Sequence, residues 1–526
     1  SSFQRLRRIL QTGYTPLYPS TLHNRFVHSL GVYHLGKIAI DFLRSNSNVL
    51  FQNFEKGVIS NLCSVFEIAC LLHDVGHAPF SHTGEIFYLD EQQKYTQLHQ
   101  KLSDLLKSPV FDHDIEKYQS LVAAPHEIMS AIIGITEFSE FLIDDELKEF
   151  FVRCIVGYQY SKNCDELHQI KNCFISLLNS KVIDVDKLDY LIRDAHSSGF
   201  DTVNIDYVRL LGSLVIVKNA HGKYEIAYNK NAISVIENVI YAHDSERKWI
   251  QSHPSVLYES YLLKNIITNI NSEFQKFGFG KLFSQETLSN QGVSFKHERF
   301  GKIRMRLLCD DDIIFFMKNV FESPMSSEYF ERTERRRPIW KSETEYKSHI
   351  LSIADSGSVI SNLEETLSQI CSYVSKSTDK WFLDNNLIER FRNEMSNIEN
   401  SEEMRSKQGF EQLIRPRKRM LAIMEILQKL ASEHGFPCSF VILESSQFMS
   451  GFAKPDFNEL KIALQYNKQE KESGIRLVHF SQITSSLHAK EKARDKFFYI
   501  YHKRSNQNKE IDITKFAYSL FRSALM

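Results

Sequence analysis

Apolar positions recur mainly at the helical period along this chain. Apolar side chains three and four residues apart mark residues 29–44, 62–74, 126–134, 139–157, 174–195 and, less regularly, 231–275. Residues 84–125 are polar and irregularly patterned, and we interpret them as an insertion of short helices. The pattern therefore predicts a largely helical N-terminal half.

The pattern changes later in the chain. Residues 212–230 hold two runs of β-forming residues on either side of Asn219 to Gly222, which predicts a hairpin. Residues 308–430 return to the helical period. After about residue 435, strands are predicted at 438–443, 475–480 and 497–502. We expect a mostly α protein with a small α/β lobe at its C-terminal end.

Composition and charge narrow the class of protein. The 526 residues are 42% hydrophobic and 25% charged, which is typical of a folded, soluble chain with more than one lobe. With 64 basic and 65 acidic side chains, the formal net charge is -1. This balance gives no overall attraction to nucleic acid or to anionic membranes, although local patches remain possible.

Cysteine usage and targeting signals indicate the compartment. The eight cysteines are scattered without a CxxC pair, which favours reduced thiols over a disulfide frame or a cysteine zinc site. Because neither a bilayer-spanning apolar run nor a signal-peptide pattern occurs, we expect a cytoplasmic protein without a membrane partner. The chain starts at Ser1 without Met and enters a motif at once, so we also expect residues upstream of it.

Four segments combine residue types that bind metals and phosphates: HNRFVHSLG at 23–31, LLHDVGHAPFSH at 71–82, PHE at 125–127 and DVDKLDYLIRD at 184–194. His73 and Asp74 end an apolar helix, where neighbouring side chains point about 100° apart. Each can therefore give one ligand to a metal beside the helix end, and His28 and Asp186 are candidates to complete the set. Such ligands suit Mn, Fe, Zn or Mg, and the metal would activate water for phosphoester hydrolysis.

The fourth segment also forms a nucleotide surface in a helical reading. Asp186, Tyr190 and Asp194 are four residues apart and fall along one helix face. Lys187 lies on the adjoining edge. A carboxylate for a metal, a lysine for phosphate and a tyrosine beside a carboxylate for a sugar would together suit a nucleotide.

Structural interpretations compete with these functional ones. Asp184 and Asp189 compete with Asp186 for the metal, but the four-residue spacing favours Asp186. The basic runs at 335–337 and 415–419 are usually solvated faces. A nucleic-acid or effector-nucleotide role for those runs is the minority interpretation.

In chain order, FQRLR at 3–7, HNRFVHSLG, HDVGHAPFSH and DVDKLDYLIRD closely resemble the deoxynucleoside triphosphate (dNTP) triphosphohydrolases of the HD superfamily. Weaker similarity reaches CDDDIIFFM at 309–317 and ERRRPIW at 334–340, and no SAM domain is visible. The resemblance implies an HD-domain helical catalytic core. We expect this core at 1–275, a helical extension at 276–430 and the small α/β lobe at 431–526.

The resemblance also implies roles for individual residues. By resemblance, the metal ligands would be His28, His73, Asp74 and Asp186. The residues around the scissile phosphate would be His77, His82 and His126, with Glu85 orienting His126. Substrate would be bound at its phosphates by Arg25 and Lys187, at its sugar by Tyr190 and Asp194, and at its sugar or base by Gln11. His77 and His82 could instead be structural histidines that stitch loops. His23 is interpreted as structural.

The implied reaction is attack at the α-phosphorus of a dNTP, releasing a nucleoside and inorganic triphosphate. The resemblance implies a divalent metal cofactor, a homo-oligomer and, in some members, an activating nucleotide. Such an enzyme would control nucleotide pools or deplete them during phage infection. Two alternatives stay open: an HD phosphodiesterase or nuclease on DNA, RNA or cyclic nucleotides, and a nucleotide-sensing subunit of a larger complex with a partner.

Overall fold

We describe the protein from a computed structural model. It describes residues 1–13, 17–88, 96–117, 123–161, 164–200, 204–276, 281–297, 301–331, 335–351, 357–377, 381–406, 409–446, 458–468, 472–484, 496–504 and 510–525. Contacts divide the chain into two compact units. The first comprises Ser1–Ile250, Ile266–Glu322 and Met449–Lys492, and the second comprises Gln251–Asn265, Ser323–Phe448 and Ala493–Met526.

Helices make up most of the described chain. They are α1 Ser2–Arg5, α2 Arg25–Asn46, α3 Asn48–Phe51, α4 Lys56–Leu72, α5 Thr96–Leu106, α6 Pro109–Lys117, α7 Pro125–Glu137, α8 Asp145–Val156, α9 Glu166–Leu178, α10 Val185–Ser198, α11 Tyr207–Gly212, α12 Ile233–Glu246, α13 Pro254–Lys276, α14 Gln285–Leu288, α15 Asp310–Asn319, α16 Pro324–Phe330, α17 Glu343–Leu351, α18 Gly357–Ser375, α19 Asn385–Asn400, α20 Glu402–Arg405, α21 Phe410–His434 and α22 Ile513–Ala524.

Strands are fewer and shorter. They are β1 Leu214–Lys218, β2 Tyr224–Asn229, β3 Val293–His297, β4 Gly301–Met305, β5 Arg337–Pro338, β6 Leu383–Asp384, β7 Ser439–Ser446, β8 Lys461–Lys468, β9 Glu472–His479 and β10 Lys496–His502. The predicted mostly α fold with a small α/β portion is therefore confirmed. No helix in the described ranges is long and apolar enough to cross a membrane.

Side-chain caps explain where the helices of the site begin. The Asn24 side chain accepts the Val27 backbone N–H at 3.2 Å and starts α2. The Asp184 carboxylate accepts the Lys187 N–H at 2.7 Å and starts α10. Because this cap begins a new helix, the helical stretch predicted at 174–195 consists of α9 and α10, which are separate helices.

Helices α2, α4, α8 and α9 build the core of the first unit around buried aromatic rings. Phe66 on α4 meets Phe174 on α9 edge to face, with ring centroids 5.5 Å apart. Phe150 on α8 meets the same ring at 6.2 Å. This core fixes the end of α4, where the HD dipeptide follows.

The first unit also holds the predicted hairpin. Strands β1 and β2 pair antiparallel, and Gly222 in their turn has φ +75°, a left-handed conformation that favours glycine. The chain continues the sheet in the order β1-β2-β8-β9, with β8 parallel to β2. Sequence patterning predicted β9 but not β8.

The second unit contains a sheet in the order β5-β10-β7-β6, whose strand pairs are antiparallel. Strands β7 and β10 correspond to two of the predicted C-terminal strands. Since β8 and β9 belong to the first unit, the segment after residue 431 contributes to both units. The division into three linear domains remains a sequence-based proposal.

Candidate active site

The four predicted metal ligands converge on one point. His28 lies in the second turn of α2, His73 and Asp74 directly follow α4, and Asp186 lies in the first turn of α10. The Nε2 atom of His28 is 3.0 Å from Asp186 Oδ1 and 3.5 Å from Asp74 Oδ2. The Nε2 atom of His73 is 3.4 Å from Asp74 Oδ1 and 3.6 Å from Asp186 Oδ1. Three distant segments thus bring two imidazoles and two carboxylates together.

The donor atoms of this cluster suit a divalent metal. The Nε2 atoms of His28 and His73 are buried and face these carboxylate oxygens, but neither atom makes a hydrogen bond of good geometry. Their Nδ1 atoms are occupied, by Asp189 Oδ2 at 2.8 Å and by the Cys70 carbonyl at 2.8 Å. A histidine held at one nitrogen with the other bare is the usual arrangement of a metal ligand. Imidazole nitrogens with carboxylate oxygens form a donor set for Mn, Fe, Zn or Mg.

Electrostatics at this point favour positive charge. Burial lowers the pKa of His28, but the adjacent Asp186 and Asp189 carboxylates outweigh it and raise the pKa to about 10. Burial raises the pKa of Asp186, but His28 and His73 hold it well below its usual range. The side chain of Asp186 is 36% exposed while the other three ligands are buried. The cluster therefore attracts a cation and opens to solvent beside Asp186.

Arg25 forms a hydrogen-bonded ion pair with Asp74, one of the predicted metal ligands. Its guanidinium donates to Asp74 Oδ2 at 2.6 Å and to Ser81 Oγ at 2.8 Å, and the side chain is buried. Burial raises the pKa of Asp74, but Arg25 and nearby histidines hold it well below its usual range. Arg25, predicted to hold phosphate, thus has a carboxylate partner in this structure.

A second cluster adjoins the first. The Oε1 atom of Glu85 lies 2.7 Å from His82 Nδ1, 2.9 Å from His126 Nδ1 and 3.3 Å from His77 Nδ1. The rings of His77 and His126 stack, with centroids 3.9 Å apart. His77 Nε2 is 3.2 Å from Asp74 Oδ1, which joins the two clusters. The structure therefore brings together the four residues predicted to surround the phosphate.

Close helix packing makes this second cluster possible. Gly76 donates its N–H to Ser130 Oγ at 2.8 Å. A Cβ added at Gly76 would lie 2.2 Å from the Ser130 backbone nitrogen, so only glycine fits where the HD loop meets α7. Because the loop lies so close to α7, His77 can stack on His126 at the start of that helix, although a long insertion separates the two residues in sequence.

The histidines of the second cluster differ in charge. Burial lowers the pKa of His126, but Glu85 outweighs it and raises the pKa to about 9. Burial, Arg25 and His126 together hold the pKa of His77 well below its usual range. Burial raises the pKa of Glu85, but His126 and His82 hold it well below its usual range. At neutral pH the cluster therefore holds a protonated His126, an ionised Glu85 and a neutral His77.

The sugar- and phosphate-binding candidates on α10 have partners of their own. Asp194 Oδ1 is 2.7 Å from His23 Nε2, a histidine interpreted from sequence as structural. Lys187 donates to Asp184 Oδ2 at 2.5 Å and to the Ser180 carbonyl at 2.7 Å. Burial, followed by Glu246 and other acidic groups, raises the pKa of Tyr190 well above its usual range, so the phenol keeps its proton.

Gln11 lies beside Arg25 and His23. Its backbone N–H donates to the His23 carbonyl at 3.0 Å, and its carbonyl accepts from Arg25 at 3.4 Å. Its side-chain oxygen is buried without a partner. An acceptor in that condition is available to a ligand.

Asp189 contacts one of the predicted metal ligands, a position that sequence reasoning did not assign to it. It was considered only as a competitor of Asp186 for the metal, yet it accepts from His28 Nδ1 and pairs with Arg193 at 2.8 Å. Its one signal was a position three residues after Asp186 on the same helix. The structure places Asp189 behind the histidine ligand rather than at the shared point.

Curated relatives of this chain include a protein named for an HD domain. No protein-family model matches the chain. A putative HD domain-containing protein of Acanthamoeba polyphaga mimivirus is 27% identical over 282 residues, covering 52% of this chain and 54% of that protein. An uncharacterized protein of Mycoplasma genitalium is 28% identical over 337 residues, covering 61% of this chain and 67% of that protein. The chain is therefore homologous to HD-domain proteins.

Other curated relatives are named as enzymes. The deoxynucleoside triphosphate triphosphohydrolase SAMHD1 of Gallus gallus is 29% identical over 234 residues, covering 43% of this chain and 35% of that protein. The chain thus spans about a third of that relative's length. The resemblance to HD-superfamily dNTPases is confirmed, and the homology supports a hydrolase.

One solved structure shares the fold. A hypothetical protein from Aquifex aeolicus matches with a TM-score of 0.51, covering 99% of this chain and 92% of that chain. The sequence identity is 17%, so this likeness concerns the fold alone.

Proposed function

We propose that the protein is a metal-dependent dNTP triphosphohydrolase that releases a deoxynucleoside and inorganic triphosphate. The observation that carries the proposal is the junction of the two clusters, where Asp74 contacts His77 at 3.2 Å. This contact would set the proposed metal ligands directly beside the cluster that holds the proposed proton donor. Relatives named as dNTP triphosphohydrolases support the substrate class. Nucleotide-pool control or defence against phage would be its role.

His28, His73, Asp74 and Asp186 would hold the divalent metal. When bound, such an ion lowers the pKa of a water molecule and offsets phosphate charge. Asp189 and the Cys70 carbonyl fix the two rings so that each Nε2 faces the shared point. Arg25 keeps Asp74 ionised and oriented. These residues prepare the site before substrate arrives.

His126 is the proposed general acid. Because Glu85 raises its pKa to about 9, His126 carries a proton at neutral pH. It can give this proton to the 5′-oxygen as the bond from that oxygen to the α-phosphorus breaks. Neutral His77 stacks on it and limits its rotation. His82, whose side chain is 72% exposed, would meet the phosphates from the solvent side.

The remaining candidates would position the nucleotide. Tyr190 and Asp194 would contact the sugar from α10, and Gln11 would offer its unpartnered oxygen to the sugar or base. Lys187 and Arg25 already bind carboxylates, so their effect on the triphosphate would be electrostatic more than through direct contacts. The site would thus recognise the sugar by hydrogen bonds and the phosphates mainly by electrostatic attraction.

The decisive experiment is product analysis. Purified protein is incubated with each dNTP, each NTP and single-stranded DNA in Mn or Mg, and the products are separated by anion-exchange chromatography. We expect deoxynucleoside and triphosphate in equal amounts. Shortened DNA would replace the proposal with a nuclease, and nucleotide-dependent assembly without any product would replace it with a sensing subunit.

A matched pair of variants on α2 controls this experiment. His28→Ala removes a proposed ligand, whereas His34→Ala removes an exposed histidine from the same helix. Only the first is expected to abolish product formation and metal uptake. The expected homo-oligomer, partner subunit and activating nucleotide belong to the same proposal, and size-exclusion chromatography with and without nucleotide tests them.

A further inference from the structure

The loop that carries His77 and His82 contains two consecutive residues in a left-handed conformation. Phe80 has φ +58° and Ser81 has φ +54°, although neither is glycine. L-amino acids other than Asn and Asp rarely adopt this region, and two in succession persist only where surrounding contacts hold them. His82 follows this turn directly, so the turn decides where its ring points.

Asp310 holds this turn from another part of the chain. It is the first residue of α15 and is buried. Its Oδ1 atom accepts the Phe80 N–H at 2.7 Å, and its Oδ2 atom accepts the Leu10 N–H at 2.9 Å. One carboxylate therefore joins the strained turn to the segment that precedes Gln11.

Arg5 completes the support from the FQRLR segment. Its buried guanidinium donates to the Val75 and His77 carbonyls at 2.9 and 2.8 Å, and to the Leu308 carbonyl at 2.8 Å. Ser81 Oγ donates to the Leu10 carbonyl at 2.5 Å and accepts from Arg25. Side-chain contacts thus hold the loop at residues 75, 77, 80 and 81.

We propose that Arg5 and Asp310 form a positioning clamp, which holds the strained Phe80–Ser81 turn and so places His77 and His82 beside Glu85. Neither residue contacts the proposed substrate or metal, so both act through the loop. The FQRLR and CDDD segments, which received no role from motif reasoning, gain one through this clamp. Its effect on turnover rests on the proposed function, whereas its effect on the loop does not.

Two isosteric variants on α15 test the clamp. Asp310→Asn keeps the side-chain shape but opposes one N–H donor with an NH2 group. Asp311→Asn changes the exposed neighbour. For Asp310→Asn we expect faster hydrogen exchange across residues 75–85 and at least a tenfold lower kcat, with unchanged metal content. Asp311→Asn is expected to match the wild type within twofold on each measurement.

A rescue experiment separates positioning from general stability. In the Asp310→Asn background, Phe80→Gly makes the left-handed turn easy without the clamp, whereas Phe80→Ala removes the same ring but keeps the conformational penalty. We expect at least a threefold recovery of kcat with glycine and none with alanine. A loss that came from weaker packing alone would not respond to this difference.

Equal recovery in both double variants would overturn the proposal, as would wild-type exchange and turnover in Asp310→Asn. Should Asp310→Asn lack the circular dichroism of a folded protein, Arg5→Lys replaces it, because lysine keeps the charge but cannot reach three carbonyls. If the wild type hydrolyses no dNTP, the proposed function fails while the exchange measurement still decides the clamp.

Discussion

Two buried polar groups in this protein differ in whether their atoms have protein partners. In the candidate metal site, the Nε2 atoms of His28 and His73 are buried without a hydrogen-bond partner. In the second unit, Arg336 donates to Glu328 Oε2 at 2.5 Å and to the Ser439 carbonyl at 3.1 Å. The histidine nitrogens could therefore bind a ligand, whereas the polar atoms around Arg336 already bind one another.

This difference separates function from stability. Burying a polar atom without a partner costs free energy, so an imidazole nitrogen left without a hydrogen bond among carboxylates is a candidate metal ligand. In the Arg336 network, by contrast, both carboxylate oxygens of Glu328 accept hydrogen bonds, because Tyr258 Oη donates to the second oxygen at 2.6 Å. Substitutions in the two groups should therefore change different measurements, and the following experiments exploit that contrast.

The largest loss of activity is expected from Asp74→Ala. This change removes a proposed metal ligand and leaves Arg25 buried without its carboxylate partner. Hydrolysis should fall below detection and bound metal, measured by inductively coupled plasma mass spectrometry, should be lost. Asp41→Ala, at an exposed position on α2, should retain both. Full metal content in Asp74→Ala would break the assignment of this cluster.

His126→Ala should lower turnover by about 10²- to 10⁴-fold, the usual contribution of a general acid, without loss of metal. His113→Ala, at an exposed histidine, serves as the control. In the wild type the acid form of His126 is lost as pH rises through about 9, so the rate should fall there. A pH–rate profile in which His126→Ala keeps the same alkaline fall would contradict this role.

Glu328→Ala should affect stability but not chemistry. It leaves Arg336 buried without its charge partner, and breaking such a pair costs about 3–5 kcal/mol. Denaturant titration should show this loss in the free energy of unfolding, while hydrolysis per folded molecule stays unchanged. Glu331→Ala, at a nearby exposed position, should show neither change. Equal stability of the two variants would remove the contrast drawn above.

Asp189→Asn should give the smallest effect of the four. The variant keeps the shape but weakens the bond to His28 Nδ1, and such outer partners are typically worth about 10- to 100-fold in metal affinity. Competition with a chelator measures this affinity. Asp145→Asn, at an exposed residue of α8, should leave it unchanged. An unchanged affinity in Asp189→Asn would mean that the ring needs no such partner.

The sequence predicts the members of the site better than their supports. His28, His73, Asp74 and Asp186 could be named because metal binding requires particular residue types within short motifs. Their supports act through tertiary contacts that leave no local pattern. His23, interpreted as structural, binds Asp194 through a contact between residues 171 positions apart, which no local pattern could reveal.

Fold prediction was limited in the same way. Helical period predicted most helices, and turn residues predicted the β1–β2 hairpin. The basic run at 335–337 was expected to be a solvated face, but Arg336 is only 5% exposed, so that expectation was wrong for this residue. Its burial depends on Glu328 and Ser439, and no periodicity around residue 336 could reveal these partners.

Glu85 connects an imidazole at the protein surface to one in the interior. His82 is largely exposed, the His126 side chain is only 13% exposed, and both face the same carboxylate oxygen. Both rings therefore lower the pKa of one acid group, so a change at the solvent-facing imidazole alters the electrostatics of the inner one without any movement of the loop.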